Sequence, residues 1–151
     1  MSDQYSLRKA TEKDFPFFRE LHRLLFRKHI EQIWGWDQDD QEQRTREAFE
    51  NDVVQVIQVD NQDIGFLQVE DQEDCVRVGE IWIAPDYQNR GIGTAIVNDV
   101  IQKAFQVSKG VFLGVLRTNH RAKAFYKRLG FIVYEDDGDR FLMKKLLGEA
   151  P

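Results

Sequence analysis

The chain is predicted to fold as a single α/β domain over residues 1–151, with a mixed, mostly antiparallel central sheet flanked by helices. Three observations predict it. Apolar runs at residues 53–59, 64–70 and 76–83 are separated by short acidic turns, the pattern of an antiparallel meander. The last of these strands is followed by a glycine loop and an amphipathic helix at residues 94–105, the order of a strand-to-helix crossover. A nearly continuous apolar strand at residues 111–116 comes next, as expected where both faces of a strand are covered. At this length one domain buries roughly two thirds of the surface its unfolded chain exposes.

The elements follow in order. Tyr5 opens a first strand that runs to Lys9, and Thr11 with Glu12 and Asp14 suits the start of a helix. Phe15, Phe18, Leu21 and Leu25 then recur at helical spacing, and the helix is expected to end near His29. Ile33, Trp34, Gly35 and Trp36 break that spacing, which predicts an irregular loop carrying two tryptophans. Asp39 or Asp40 is placed to cap a second helix reaching about Glu50. The meander turns at Asp60-Asn61-Gln62-Asp63, and Pro85 stops its last strand. In the long helix, Ile92, Ile96, Val100 and Ala104, with Val97, Ile101 and Phe105, make a wide apolar face suited to packing on a sheet. Residues 121–129 form another helix with Ala122, Phe125 and Leu129 inward and Gly130 just past its end. Residues 131–135 and 141–145 make a hairpin around Asp137-Gly138.

Composition excludes several classes of function. A net charge of -5 with dispersed basic residues disfavours a nucleic-acid surface and favours a cationic substrate. Cys75 is alone, so no internal disulfide is expected; with no histidine close in sequence it reads as a strand residue rather than a nucleophile. Neither a basic, apolar leader at Met1 to Tyr5 nor a run of ~18 apolar residues is seen, so no membrane partner and a cytoplasmic location are expected. His22, His29 and His120 lack the spacing of metal ligands and are read as packing or surface residues; no metal is expected.

The loop Gln88-Asn89-Arg90-Gly91-Ile92-Gly93 carries the chemistry. The first turn of a helix exposes unpaired N–H groups at the positive end of its dipole, so a loop wrapped over it can hold a diphosphate. Gly91 and Gly93 are expected to accept positive φ and to admit an anion to the backbone, while Arg90 adds a fixed charge. The ATP-type loop is excluded because no lysine follows Gly93, and the dinucleotide fingerprint fails at Ile96, where glycine or alanine should stand.

Ile81-Trp82-Ile83-Ala84-Pro85-Asp86-Tyr87-Gln88-Asn89-Arg90-Gly91-Ile92-Gly93, together with Asn119-His120-Arg121-Ala122-Lys123-Ala124-Phe125-Tyr126-Lys127-Arg128-Leu129-Gly130-Phe131, resembles the GNAT superfamily of acyl-CoA-dependent N-acetyltransferases. The resemblance covers about residues 80–144 and is looser before them. It implies a GNAT-like sheet, a cofactor-binding core at about 76–131 and an acceptor-shaping region at about 12–51. It implies acetyl-CoA as acyl donor, with the backbone of Ile81, Trp82 and Ile83 pairing with its pantetheine arm. The main chain of Gln88, Asn89, Arg90, Gly91, Ile92, Gly93 and Thr94 is implied to hold its pyrophosphate. Asn119, Ala122, Phe125 and Tyr126 are implied to face the cofactor, with Tyr126 as general acid toward the departing thiol. The spacing agrees in part, since Ala122 and Tyr126 are four apart and share a helix face.

Transfer to a primary amine needs a base, because an alkylammonium of pKa about 10.4 is neutral only about once in 2,500 at pH 7, a cost of roughly 4.6 kcal/mol. Glu80, Glu70, Asp37 and relayed water are candidates, with Glu80 or ordered water as the default. Two family patterns are missing: Gly114 stands where ribosomal-protein N-terminal acetyltransferases have glutamate, and Arg77 where histone-type members do. Trp34, Trp36 and Asp37 would suit a cationic amine through ring faces and a carboxylate, or else anchor a loop. The expected partners are a small-molecule or peptide amine and at most a second copy of the chain. A non-catalytic acyl-CoA sensor, a dinucleotide- or phosphate-binding domain, and an aminoglycoside or protein N-acetyltransferase are the alternatives.

Overall fold

A computed structural model describes residues 4–51 and 53–148 of the chain. They form two compact units, one running up to Val69 with Glu80–Gly93 and the other made of Glu70–Gly79 with the chain from Thr94 onward. The strands are β1 (Ser6–Lys9), β2 (Val54–Val59), β3 (Gln62–Asp71), β4 (Cys75–Ile83), β5 (Gly110–Leu116), β6 (Ile132–Asp136) and β7 (Arg140–Lys145). The helices are α1 (Phe15–Ile33), α2 (Gln38–Asn51), α3 (Ile92–Gln106) and α4 (His120–Arg128). The sheet order is β1-β2-β3-β4-β5-β7-β6. β4 pairs with β5 in parallel, whereas β1–β2, β2–β3, β5–β7 and β6–β7 pair antiparallel, giving the mixed, mostly antiparallel sheet.

In the first unit, Thr11 donates its N–H to Asp14 Oδ2 at 2.8 Å, and the Arg8 guanidinium grips the same carboxylate through two bonds of 2.9 and 2.7 Å. This fixes the entry to α1, whose Phe18 and Leu21 pack with Val54, Val56, Phe66 and Trp82 into one core cluster. The helix continues to Ile33, beyond the expected end near His29, because Ile30 is itself buried and extends the apolar face by another turn. Only a short connection then separates α1 from α2. Its cap is Asp37, not Asp39 or Asp40: Asp37 Oδ1 accepts the Asp40 N–H at 3.0 Å.

The β2–β3 turn is also tighter than expected. Asp60 and Asn61 have φ of 52° and 63°, and Val59 already pairs with Gln62, so a two-residue hairpin of the primed kind replaces the four-residue turn. β3 then passes β4 closely, and Ala84 donates its N–H to Ile64 O at 2.8 Å.

In the second unit, β4 residues Cys75 to Val78 pair with Gly110 to Leu113, while β4 itself continues to Ile83. α3 buries Ile96, Val97, Ile101 and Ala104. β5 differs from expectation: Val111, Leu113 and Val115 are buried while Gly114 is exposed, so the strand is covered fully on one face. Its continuous apolar reading failed because Phe112 is apolar yet only half-buried, against Tyr134 at 5.8 Å. In α4 the most buried side chain is Tyr126, with Ala122, Phe125 and Leu129 only partly covered.

Candidate active site

β4 ends at Ile83, and Pro85–Tyr87 form a single 3-10 turn that leads into the glycine loop. Gln88 Nε2 donates to Ile83 O at 2.8 Å, clamping the loop back onto the end of the strand. Asn89 and Gly91 have φ of 63° and 81°, so two of three successive residues are left-handed and the chain reverses sharply into α3. The second left-handed position is Asn89 rather than Gly93, which lies inside the first turn of α3 and so has no need of positive φ. Asparagine tolerates this conformation because its short polar side chain bonds locally. Arg90 stacks over the Tyr87 ring at 4.9 Å, which fixes the base of its side chain beside the turn. Asn89, Arg90 and Gly91 are exposed, and Ile92 is buried as the anchor of the helix start.

Alternation along β4 puts Glu80 and Trp82 on one face. Trp82 is 3% exposed, and its Nε1–H donates to Glu80 Oε2 at 2.6 Å. Its ring lies 4.5 Å from that of Phe18, 5.5 Å from His22 and 5.6 Å from Phe26. Ile81 and Ile83 are half-buried on the alternate positions.

A cleft of about 340 Å³ lies between α1 and α2, with Arg19, Arg23, Trp36, Gln41 and Glu42 among its walls. His22 also lines it, 3.5 Å from the Thr45 hydroxyl through Nδ1. Burial pushes the His22 imidazole down to about 4, so it is neutral at pH 7. The sequence offered little sign of this; only helical spacing places His22 beside Leu21 and Phe26, between core and surface. Trp36 is half-buried on the cleft and donates Nε1–H to Gln38 Oε1 at 3.0 Å. Trp34 terminates α1 and is exposed, and the Asp37 carboxylate caps α2.

In the second unit, Asn119 caps α4, its Oδ1 accepting the Ala122 N–H at 3.1 Å. The Tyr126 ring is 7% exposed and packs against Phe125 at 5.0 Å and Phe131 at 5.5 Å. The Tyr126 carbonyl accepts the N–H groups of Leu129 and Phe131, closing the helix through Gly130 at φ 96°. Among the described residues no cluster of three or more His, Cys, Asp or Glu could hold a metal ion.

The family model described as acetyltransferase (GNAT) family matches residues 15–131, more than three quarters of the chain. The chain belongs to the GNAT acetyltransferase family. Its GNAT relatives include an uncharacterized N-acetyltransferase of Methanocaldococcus jannaschii, 29% identical over 143 residues that cover 84% of this chain and 60% of that protein. The chain thus spans less than two thirds of that relative's length. The GNAT fold is shared with PaiA N-acetyltransferase from Thermoplasma acidophilum in complex with coenzyme A, at 21% identity, 95% and 99% coverage and a TM-score of 0.74. It is shared too with Arabidopsis thaliana Naa50 in complex with a bisubstrate analogue, at 18% identity, 93% and 97% coverage and a TM-score of 0.63.

Proposed function

We propose that this chain is an N-acetyltransferase that moves the acetyl group of acetyl-CoA directly onto a primary amine of a small molecule or peptide. The observation that carries the reading is the turn after β4, where Asn89 and Gly91 are both left-handed at the start of α3. Such a turn presents successive N–H groups outward together with the unpaired ones of the helix start, the donor set a pyrophosphate needs. Gln88, Asn89, Arg90, Gly91, Ile92, Gly93 and Thr94 are the residues assigned to it. The solved PaiA relative, crystallised with coenzyme A, supports the same ligand.

Acetyl-CoA supplies an activated thioester. The backbone of Ile81, Trp82 and Ile83 serves as its edge partner, and fixed N–H donors there polarise the carbonyl. Glu80 takes the ammonium proton, directly or through water, and frees the lone pair that forms the C–N bond. Tyr126 gives a proton to the sulfur as the C–S bond breaks; with a phenol pKa of about 10 against about 8.5 for a thiol, this assistance helps without being indispensable. Asn119, Ala122 and Phe125 line the cofactor side of the same helix. The cofactor-binding part is assigned to about residues 76–131 and the acceptor part to about 12–51, with Trp36 on the cleft wall as the acceptor contact best placed among Trp34, Trp36 and Asp37.

A panel of amines incubated with acetyl-CoA and read by release of coenzyme A thiol tests the reading. Amine-dependent release is expected. Tight acetyl-CoA binding with no release from any amine would instead mark a sensor.

A further inference from the structure

We infer that Trp82 is a positioning residue, whose indole N–H holds the Glu80 carboxylate in the orientation from which it accepts the acceptor's proton. The inference rests on the assignment of Glu80 as base. Trp82 and Glu80 are two apart on β4, so their side chains leave the strand on one face. The 2.6 Å bond runs from Nε1–H to Oε2, a charge-assisted contact stronger than a neutral one.

What makes the donor rigid is the packing behind it. The indole sits against Phe18 at 4.5 Å, Phe26 at 5.6 Å and Phe66 at 6.2 Å, with His22 at 5.5 Å. Phe18 and Phe66 are fully buried, so the ring has no room to swing and its N–H direction is set by the core. A glutamate on a strand has three free torsions; bonding one oxygen to a fixed donor removes that freedom and holds the carboxylate in one orientation. His22, the titratable group packed on the same indole, is held neutral at pH 7 by burial and adds no competing charge.

The test combines kinetics and NMR on the full chain. Trp82→Phe keeps an aromatic ring in the core and removes the donor together with part of the indole's volume. It is expected to lower kcat about 10-fold with the KM for acetyl-CoA nearly unchanged, and to cost nothing further when placed in a Glu80→Gln background. A merely structural role would lower kcat in both backgrounds. The three tryptophans give three indole N–H resonances, and the one assigned to Trp82 should move upfield in Glu80→Gln while the other two stay in place. That second readout needs only the parent and Glu80→Gln, so it decides even if Trp82→Phe does not fold. An unmoved resonance, or a Trp82→Phe enzyme with parental kcat, overturns the positioning role while Glu80→Gln remains impaired. If Glu80→Gln itself turns over like the parent, the base assignment falls and the positioning role with it.

Discussion

At the scale of single residues, two side-chain changes separate chemistry from packing. Tyr126 contributes an aromatic ring to the α4 core and a hydroxyl to the proposed proton transfer, and Tyr126→Phe removes only the second. Turnover is expected to fall about 10-fold to 10⁴-fold with acetyl-CoA affinity nearly unchanged, measured by steady-state thiol release and by direct binding. Equal turnover in the two proteins would take Tyr126 out of the mechanism. Gly65 is the converse case. A Cβ there would lie 1.9 Å from the Trp82 carbonyl oxygen and 3.2 Å from Ile83 Cα, both backbone atoms of the neighbouring strand that cannot rotate away. Gly65→Ala should therefore destabilise the fold by about 3 kcal/mol or more, read from urea midpoints at constant m. A change within experimental error would mean that β4 yields at little cost. Nothing in the sequence around Gly65 announced this, because close approach of two backbones is a property of pairing geometry and not of local residue type.

At the scale of elements, the turn between β4 and α3 carries the sharpest expectation. Gly91 at φ 81° occupies a region where a side chain costs roughly 1–2 kcal/mol, more when it is branched. Gly91→Val should weaken acetyl-CoA binding about tenfold or more, whereas Asn89→Gly, at φ 63°, should leave affinity close to the parent's. Isothermal titration of both variants decides, and an unaltered Gly91→Val affinity would contradict the pyrophosphate cradle. The strand, loop and helix around this turn were legible because apolar periodicity changes from two to 3.6 across two glycines within a few residues. The exact left-handed pair was not, since Asn89 and Gly93 are both permissive types and only the helix start at Ile92 separates them. The same limit explains α1: Ile30 and Ile33 keep the helical spacing, but Trp34-Gly35-Trp36 drew the predicted break too early. For α2, Asp37, Asp39 and Asp40 are equivalent as residue types, and only the backbone shows which oxygen meets an N–H.

At the scale of the whole molecule, the stability of the fold against acid joins the buried groups to the pattern of charge. His22 is the sensitive point: in the unfolded chain its imidazole has its ordinary pKa near 6.5, whereas burial holds it at about 4 in the fold. Between those values the unfolded chain binds a proton that the folded chain refuses, so stability falls as pH falls across this window. The loss should reach about 3 kcal/mol by pH 4. Asp14 acts in a lower window. The Arg8 guanidinium, followed by the Thr11 N–H, holds its carboxylate below the usual range, so its contribution is complete above about pH 4 and disappears on further acidification. The groups facing His22 are the Thr45 hydroxyl and the rings of Phe26, Trp36 and Trp82, none of which titrates between pH 4 and 7, while Arg19, Glu20, Arg23 and Glu42 share its cleft. His22→Leu keeps an apolar side chain in that space and removes the titration. Urea unfolding at pH 7, 6, 5 and 4 should then give the parent a steeper decline than His22→Leu over this range, with the two curves running parallel at lower pH where Asp14 takes over. Identical declines above pH 4 would show that the imidazole reaches solvent through the α1–α2 cleft and is protonated in the folded state.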